Sequence, residues 1–191
     1  MQNVSKYHPA LVALHWLLAI LIAAALALAA LVMVRLPNDS PVKLEALRSH
    51  MVGGGLILSL MLVRFAVRRR SEHPSPATTG NSALDLLAWA SHRLLYIAVF
   101  AMAGSGLALA IESGLFKIVI GGQGALPPDF WVYPARTVHF AFSRLLMGLI
   151  ALHIAGALYH TLIRRDGLLG RMAFGRRRSA PSSSSQVDNQ A

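Results

Sequence analysis

Hydrophobic residues gather in four long segments that are separated by polar stretches. The segments are residues 10–34, 49–67, 86–111 and 138–163. The first segment contains no charged residue, and each of the other three contains a single arginine. A helix needs about 20 apolar residues to cross the hydrocarbon core of a bilayer. The pattern therefore predicts an all-α protein with four transmembrane helices.

The polar stretches between the segments are rich in proline, glycine and serine, which favour turns. They read LPNDSP, RRRSEHPSPATTGNS and GGQGALPPDF. Helices joined by such short connections pack side by side in opposite directions, so the sequence predicts an antiparallel four-helix bundle. We expect residues 1–178 to form one domain and the serine-rich tail, residues 179–191, to be disordered.

The composition agrees with an integral membrane protein, because 55% of the 191 residues are hydrophobic and 14% are charged. Soluble domains carry about 25% charged residues. The absence of cysteine excludes disulfides, thiolate metal sites and iron–sulfur clusters. The net charge of +10 reflects topology rather than nucleic-acid binding. Eleven lysines and arginines flank the spans on one side and five on the other, so both termini are predicted to be cytoplasmic.

Histidines recur within the apolar segments, where a polar side chain is costly and marks a candidate functional site. His139 and His153 lie fourteen residues apart in the fourth segment. They face the same side of the helix and differ in depth by about 21 Å. His50 matches the depth of His139, and His15 lies toward that of His153. These two pairs predict two bis-histidine haems, because haem iron accepts imidazole axial ligands.

Other residues near these histidines have more than one interpretation. Arg64 lies on the same helical face as His50 and either pairs with haem propionates or reaches lipid phosphates as an interfacial arginine. His160 lies about 10 Å beyond His153 and is predicted to contact a propionate or a quinone, or to serve in packing. The glycines at 53–55 allow close approach of a flat ligand or of another helix.

The sequence resembles the bacterial cytochrome b561 family in several motifs at once. These are YHPALVALHWLLA, RSHMVGGGLILSLMLVRFAVRR, SHRLLYIAVFAMAGSGL and HFAFSRLLMGLIALHIAGALYHTLIRRDGLLGRM. Together they extend over residues 7–172. The resemblance implies a di-haem b protein of the bacterial inner membrane. It also implies that His15 and His153 ligate the cytoplasmic-side haem, and that His50 and His139 ligate the periplasmic-side haem.

Small stand-alone members of this family include a type that oxidises superoxide and reduces ubiquinone. The resemblance therefore implies a superoxide:ubiquinone oxidoreductase whose partners are membrane lipid, ubiquinone and superoxide or a redox-protein donor. Arg48 and Arg136 precede the outer ligands. Their charge is predicted to attract the superoxide anion, unless they clamp propionates or are ordinary interfacial residues. His8 and His92 receive no predicted role.

Two other classes of protein stay open. Similar di-haem four-helix subunits carry electrons in hydrogenase and formate dehydrogenase complexes, so an electron-carrier subunit of such a complex is the alternative function. A haem-free metal transporter would place carboxylates beside its membrane histidines. The carboxylates of this chain stand only at the edges of the spans, at Asp85 and Glu112, which disfavours a transporter.

Overall fold

The computed structural model describes residues 4–76 and 78–175. Its long helices are α1 (Pro9–Ala27), α2 (Pro41–Arg70), α3 (Ser82–Glu112) and α4 (Pro134–Leu158). Helix α1 continues as the π-helical turn Leu28–Met33, and α4 continues as the π-helical turn Tyr159–Arg164. Two further short turns follow α3 and α4, a π turn at Phe116–Ile120 and a 3₁₀ turn at Leu168–Met172. All four helices are long and apolar enough to cross a membrane. The predicted all-α, four-helix membrane fold is confirmed, and the predicted tail, 179–191, lies outside the described residues.

Each long helix begins where the sequence supplies a start signal. Proline occupies the first turn of α1, α2 and α4, where its missing N–H would have no helical partner and its fixed φ suits a helix. Asn81 caps α3, and its side chain accepts hydrogen bonds from the N–H groups of Ala83 and Leu84. Helix α2 ends in Arg68–Arg70, where positive charge suits the helix C-terminus.

The core of the bundle lies at mid-height and draws buried side chains from all four helices. They are Leu18, Ile57, Met61, Ala98, Val99, Leu146 and Leu149. Helices α3 and α4 pack most extensively against each other. Large apolar side chains such as Ile20, Leu62, Ile97 and Ile154 point outward and are at least half exposed, as expected for surfaces that face lipid.

The two ends of the described chain meet at one end of the bundle, which we call the proximal end. The backbone N–H of Tyr7 donates to the carbonyl of Arg171 at 3.2 Å. The indole N–H of Trp16 donates to the carbonyl of Met172 at 3.0 Å. The two ends of the described part of the chain therefore lie at the same end of the bundle.

Candidate cofactor site

Four membrane histidines form two pairs at two heights in the bundle. The ring centres of His15 and His153 lie 6.2 Å apart, with their planes at 72°. The ring centres of His50 and His139 lie 6.1 Å apart, with their planes at 85°. We call the first the proximal pair and the second the distal pair. The structure thus brings together the same partners that the spacing in the sequence predicts.

The ring of His139 in the distal pair is held by α3. Its Nδ1 lies 3.0 Å from the carbonyl oxygen of Met102 and 3.2 Å from the hydroxyl oxygen of Ser105. A carbonyl oxygen can only accept, so Nδ1 carries the proton and donates it to Met102. The other ring nitrogen, Nε2, then has a free lone pair for a metal. A backbone carbonyl commonly fixes a metal-binding imidazole in this way.

A glycine of α3 makes room for the same ring. A β-carbon at Gly106 would lie 3.0 Å from Cε1 and 3.3 Å from Nδ1 of His139. At Gly104, two residues away, a β-carbon would have no neighbour within 4 Å. Gly106 therefore sets how closely α3 approaches the imidazole. Ser105 and Gly106 were not predicted from the sequence. The signal that could have found them is the GSG sequence at 104–106, which interrupts an apolar helix with small residues as Gly53–Gly55 does.

On the opposite wall of the distal pair, α2 offers space beside His50. A β-carbon on any of Gly53, Gly54 or Gly55 would find no atom within 4 Å. These glycines therefore make no tight contact with another helix, and Gly53 and Gly54, three and four residues after His50, leave space on its face of α2. Nδ1 of His50 is buried without a hydrogen-bond partner within 3.5 Å, although the backbone of Ala25 lies near enough to interact with the ring.

The proximal pair has a third histidine beside it. The ring centre of His92 lies 5.1 Å from that of His153, with the planes at 89°. Nδ1 of His92 donates to the carbonyl of Ala88 at 2.6 Å, so its Nε2 also has a free lone pair. Arg64 is 8% exposed, interacts electrostatically with both His15 and His153, and donates from Nη1 to the carbonyl of Leu11 at 2.7 Å.

His160 lies beyond the proximal pair and contacts a carboxylate that the sequence analysis did not consider. Its Nδ1 donates to Oδ2 of Asp166 at 2.6 Å. His8, which received no predicted role, caps α1, because its Nδ1 accepts from the N–H of Ala10 at 3.2 Å. Both roles depend on local turns at helix ends, which the spacing of histidines does not reveal.

The predicted cationic residues at the distal end differ in their partners. Arg48 donates from Nη1 to Oε1 of Glu45 at 2.8 Å and from Nε to the carbonyl of Val119 at 3.0 Å. Arg136 stacks on the ring of Trp131 at 4.5 Å and interacts with Lys43 through its charge. Arg136 and Lys43 therefore supply the positive charge near the distal pair, whereas Glu45 offsets the charge of Arg48.

The separation of the rings fits one iron between the members of each pair. An imidazole nitrogen binds a metal at about 2 Å, and with about 1.1 Å from nitrogen to ring centre, two rings on opposite sides of one metal have centres about 6 Å apart. Both observed separations agree with this value. The proton on Nδ1 of His139 and the space beside Gly53 and Gly54 suit the same ligand.

Comparison with known proteins supports this chemistry. The family model of prokaryotic cytochrome b561 matches residues 6–175. No curated protein matches the chain. The match covers nearly all described residues, including both histidine pairs, so the chain belongs to the prokaryotic cytochrome b561 family of membrane proteins that transfer electrons on haem b.

Proposed function

We propose that this protein is a superoxide:ubiquinone oxidoreductase of the bacterial inner membrane that binds two haems b. His15 and His153 would hold the proximal haem, and His50 and His139 the distal haem. The observation that carries the proposal is the stacking of two histidine pairs in one bundle, each with ring centres about 6 Å apart. Haem b, when bound, supplies one-electron oxidation and reduction at both depths.

The side chains provide the path and the insulation for such a transfer. His139 and His153 lie on one helix at depths that differ by about 21 Å, so electrons can pass most of the way across the bilayer core. Leu18, Ile57, Val99 and their neighbours form a buried apolar cluster in the core of the bundle, and such close packing would keep water out of the region between the two pairs. In the complete reaction, two superoxide anions lose one electron each, and one ubiquinone gains both electrons and two protons.

The distal end suits an anionic donor. Arg136 and Lys43 are close enough to interact through their charges, and Arg136 also interacts with His139. Positive charge beside an electron-accepting group raises the local concentration of an anion and its rate of association. We place the periplasm on this side, because the positive-inside rule puts the arginine-rich proximal end, with both termini, in the cytoplasm.

The proximal end suits the acceptor. Arg64 is buried beside the proximal pair, and we propose that its guanidinium pairs with a haem propionate. His160 is also buried and lies about 10 Å nearer the cytoplasm than His153, at the depth where a quinone head group would meet the end of the bundle. We propose that it contacts the quinone.

The test begins with a reduced-minus-oxidised optical spectrum and a pyridine haemochrome count on the purified protein. We expect two haems b per chain. Stopped-flow mixing with superoxide should then reduce the haems, and subsequent mixing with a ubiquinone analogue should oxidise them. Two haems that quinone oxidises but superoxide does not reduce would instead favour the electron-carrier subunit. A chain that binds no haem when haem supply is ample would contradict the assignment of all four ligands.

A further inference from the structure

The chain makes an unusual turn directly after α4. The helix widens into the π turn Tyr159–Arg164, and Arg165 then adopts a left-handed conformation with φ of 53°. Among the described residues, it is the one non-glycine residue with a positive φ. Gly167 follows with φ of 70°. Both π turns and left-handed residues cost free energy and are frequent at functional sites.

The result of this turn is that Asp166 folds back onto His160. Oδ2 of the carboxylate lies 2.6 Å from Nδ1 of the imidazole, and Oδ1 accepts a hydrogen bond from the N–H of Leu168 at 3.1 Å. The following residues are fixed in turn by the bonds of Tyr7 to Arg171 and of Trp16 to Met172. Both carboxylate oxygens of Asp166 are therefore hydrogen-bonded, one to a side chain and one to the backbone.

The two side chains differ in their exposure. The imidazole of His160 is 11% exposed and the carboxylate of Asp166 is 30% exposed, so the pair extends from the interior of the bundle to its surface. The hydrogen bond from His160 holds the pKa of the Asp166 carboxyl below its usual value, and this group is ionised at neutral pH. The hydrogen bond of His160 to Asp166 uses Nδ1, and no hydrogen bond to Nε2 is found among the described residues.

We propose that Asp166 is a positioning residue that holds the ring of His160 in place, so that this side chain delivers protons to the reduced quinone. This inference rests on the proposed quinone reduction. For each electron that reaches the quinone, the Nε2–H bond of the imidazolium breaks and an O–H bond forms on a quinone oxygen. The imidazole is left neutral, with its Nδ1–H still bound to the carboxylate, and water on the proximal side restores the proton. Two such cycles supply the two protons of a quinol.

Other charged groups face this pair and must be separated from it experimentally. Nε of Arg164 lies 3.7 Å from the carboxylate of Asp166, and Arg164 also binds the carbonyl of Thr79. Asp85, at the start of α3, interacts with Arg164, although its own hydrogen bonds come from Thr78 and Thr79. The variant Asp85→Asn is therefore a matched control, since it removes a carboxylate from the same end without touching His160.

The experiment uses the full-length protein with its haems, reduced by stoichiometric dithionite and mixed with a short-chain ubiquinone analogue. Oxidation of the haems is followed optically as a function of pH in the wild type and in Asp166→Asn, Asp166→Glu, His160→Gln and Asp85→Asn. Haem spectra and midpoint potentials of each variant establish that the haem sites are intact. We expect Asp166→Asn and His160→Gln to slow oxidation about tenfold or more at neutral and alkaline pH.

The slow oxidation of Asp166→Asn should recover as the pH falls, Asp166→Glu should restore most of the rate, and Asp85→Asn should match the wild type. A rate and pH profile unchanged in Asp166→Asn would overturn the inference, as would a slowing that is equal at every pH and is not restored by glutamate. If quinone failed to oxidise the haems of the wild-type protein, the proposed quinone reduction itself would be overturned. The wild-type measurement therefore distinguishes that failure from a failure of the inference about Asp166.

Discussion

The distal and proximal histidine pairs have almost the same ring separation, but their surroundings differ. In the distal pair, His139 is fixed by the carbonyl of Met102, the hydroxyl of Ser105 and the close backbone of Gly106. In the proximal pair, His153 contacts two other histidine rings, and the buried guanidinium of Arg64 lies within electrostatic range. One site is held by backbone and small side chains, and the other is surrounded by groups that carry or accept protons.

This difference fits the two tasks that the proposed reaction assigns to the two ends of the bundle. Oxidation of superoxide releases no proton and needs an acceptor with a fixed geometry, which neutral hydrogen bonds to one ring can provide. Reduction of a quinone consumes protons, so charged and titratable groups near the proximal pair have a use there. The comparison therefore predicts that substitutions at the distal end affect haem binding and electron entry, whereas those at the proximal end affect electron exit.

The largest expected effect is the loss of one haem from a variant that lacks an axial ligand. His139→Leu should reduce the pyridine haemochrome count from two haems per chain to one, and His15→Leu should do the same, because iron loses one of its two imidazole bonds. Retention of the other haem shows that the bundle is still folded. His92→Leu is the control and should keep both haems. If either single variant lost both haems, the two sites would not be independent and the comparison would fail.

A smaller effect is expected where α3 touches the distal ring. Alanine at Gly106 would press on Cε1 of His139 from 3.0 Å, tilt the ring and weaken its bond to Met102. Loss of such support around a metal ligand typically lowers affinity about tenfold to a hundredfold. Gly104→Ala should have no effect, since its β-carbon meets open space. Haem titration measures the haem affinity of both variants, and redox titration measures their midpoint potentials. If the two variants gave the same values, α3 would not set the geometry of the distal site.

Much of this arrangement follows from the sequence because it depends on long regular helices. Uninterrupted apolar segments predict the four spans, and a spacing of fourteen residues places His139 and His153 on one face of α4 whatever the neighbouring helices do. The contact of Gly106 with His139 depends instead on how α3 is rotated against α4, which tertiary packing decides. The contact of Asp166 with His160 depends on a π turn and a left-handed residue, and no pattern of hydrophobic residues predicts either.

The smallest expected effect is on the attraction of superoxide to the distal end. Arg136→Glu should slow reduction of the haems by superoxide several-fold at low ionic strength, because it reverses a charge beside Lys43 and His139. The effect should shrink as salt is added, since the screening length is about 10 Å at 0.1 M. Arg48→Glu should slow the reaction less, because Glu45 already offsets that charge at 2.8 Å.

Stopped-flow measurements across a series of salt concentrations distinguish this attraction from damage to the site. Arg136 also stacks on Trp131, so Arg136→Gln provides a neutral intermediate that loses the same stack. If charge attracts the substrate, the rates at low salt rank wild type, glutamine and glutamate in falling order and converge at high salt. Oxidation of the haems by quinone, at the other end of the bundle, should be the same in all three. If the loss of rate did not depend on salt concentration, Arg136 would act by supporting the structure of the distal site and not by its positive charge.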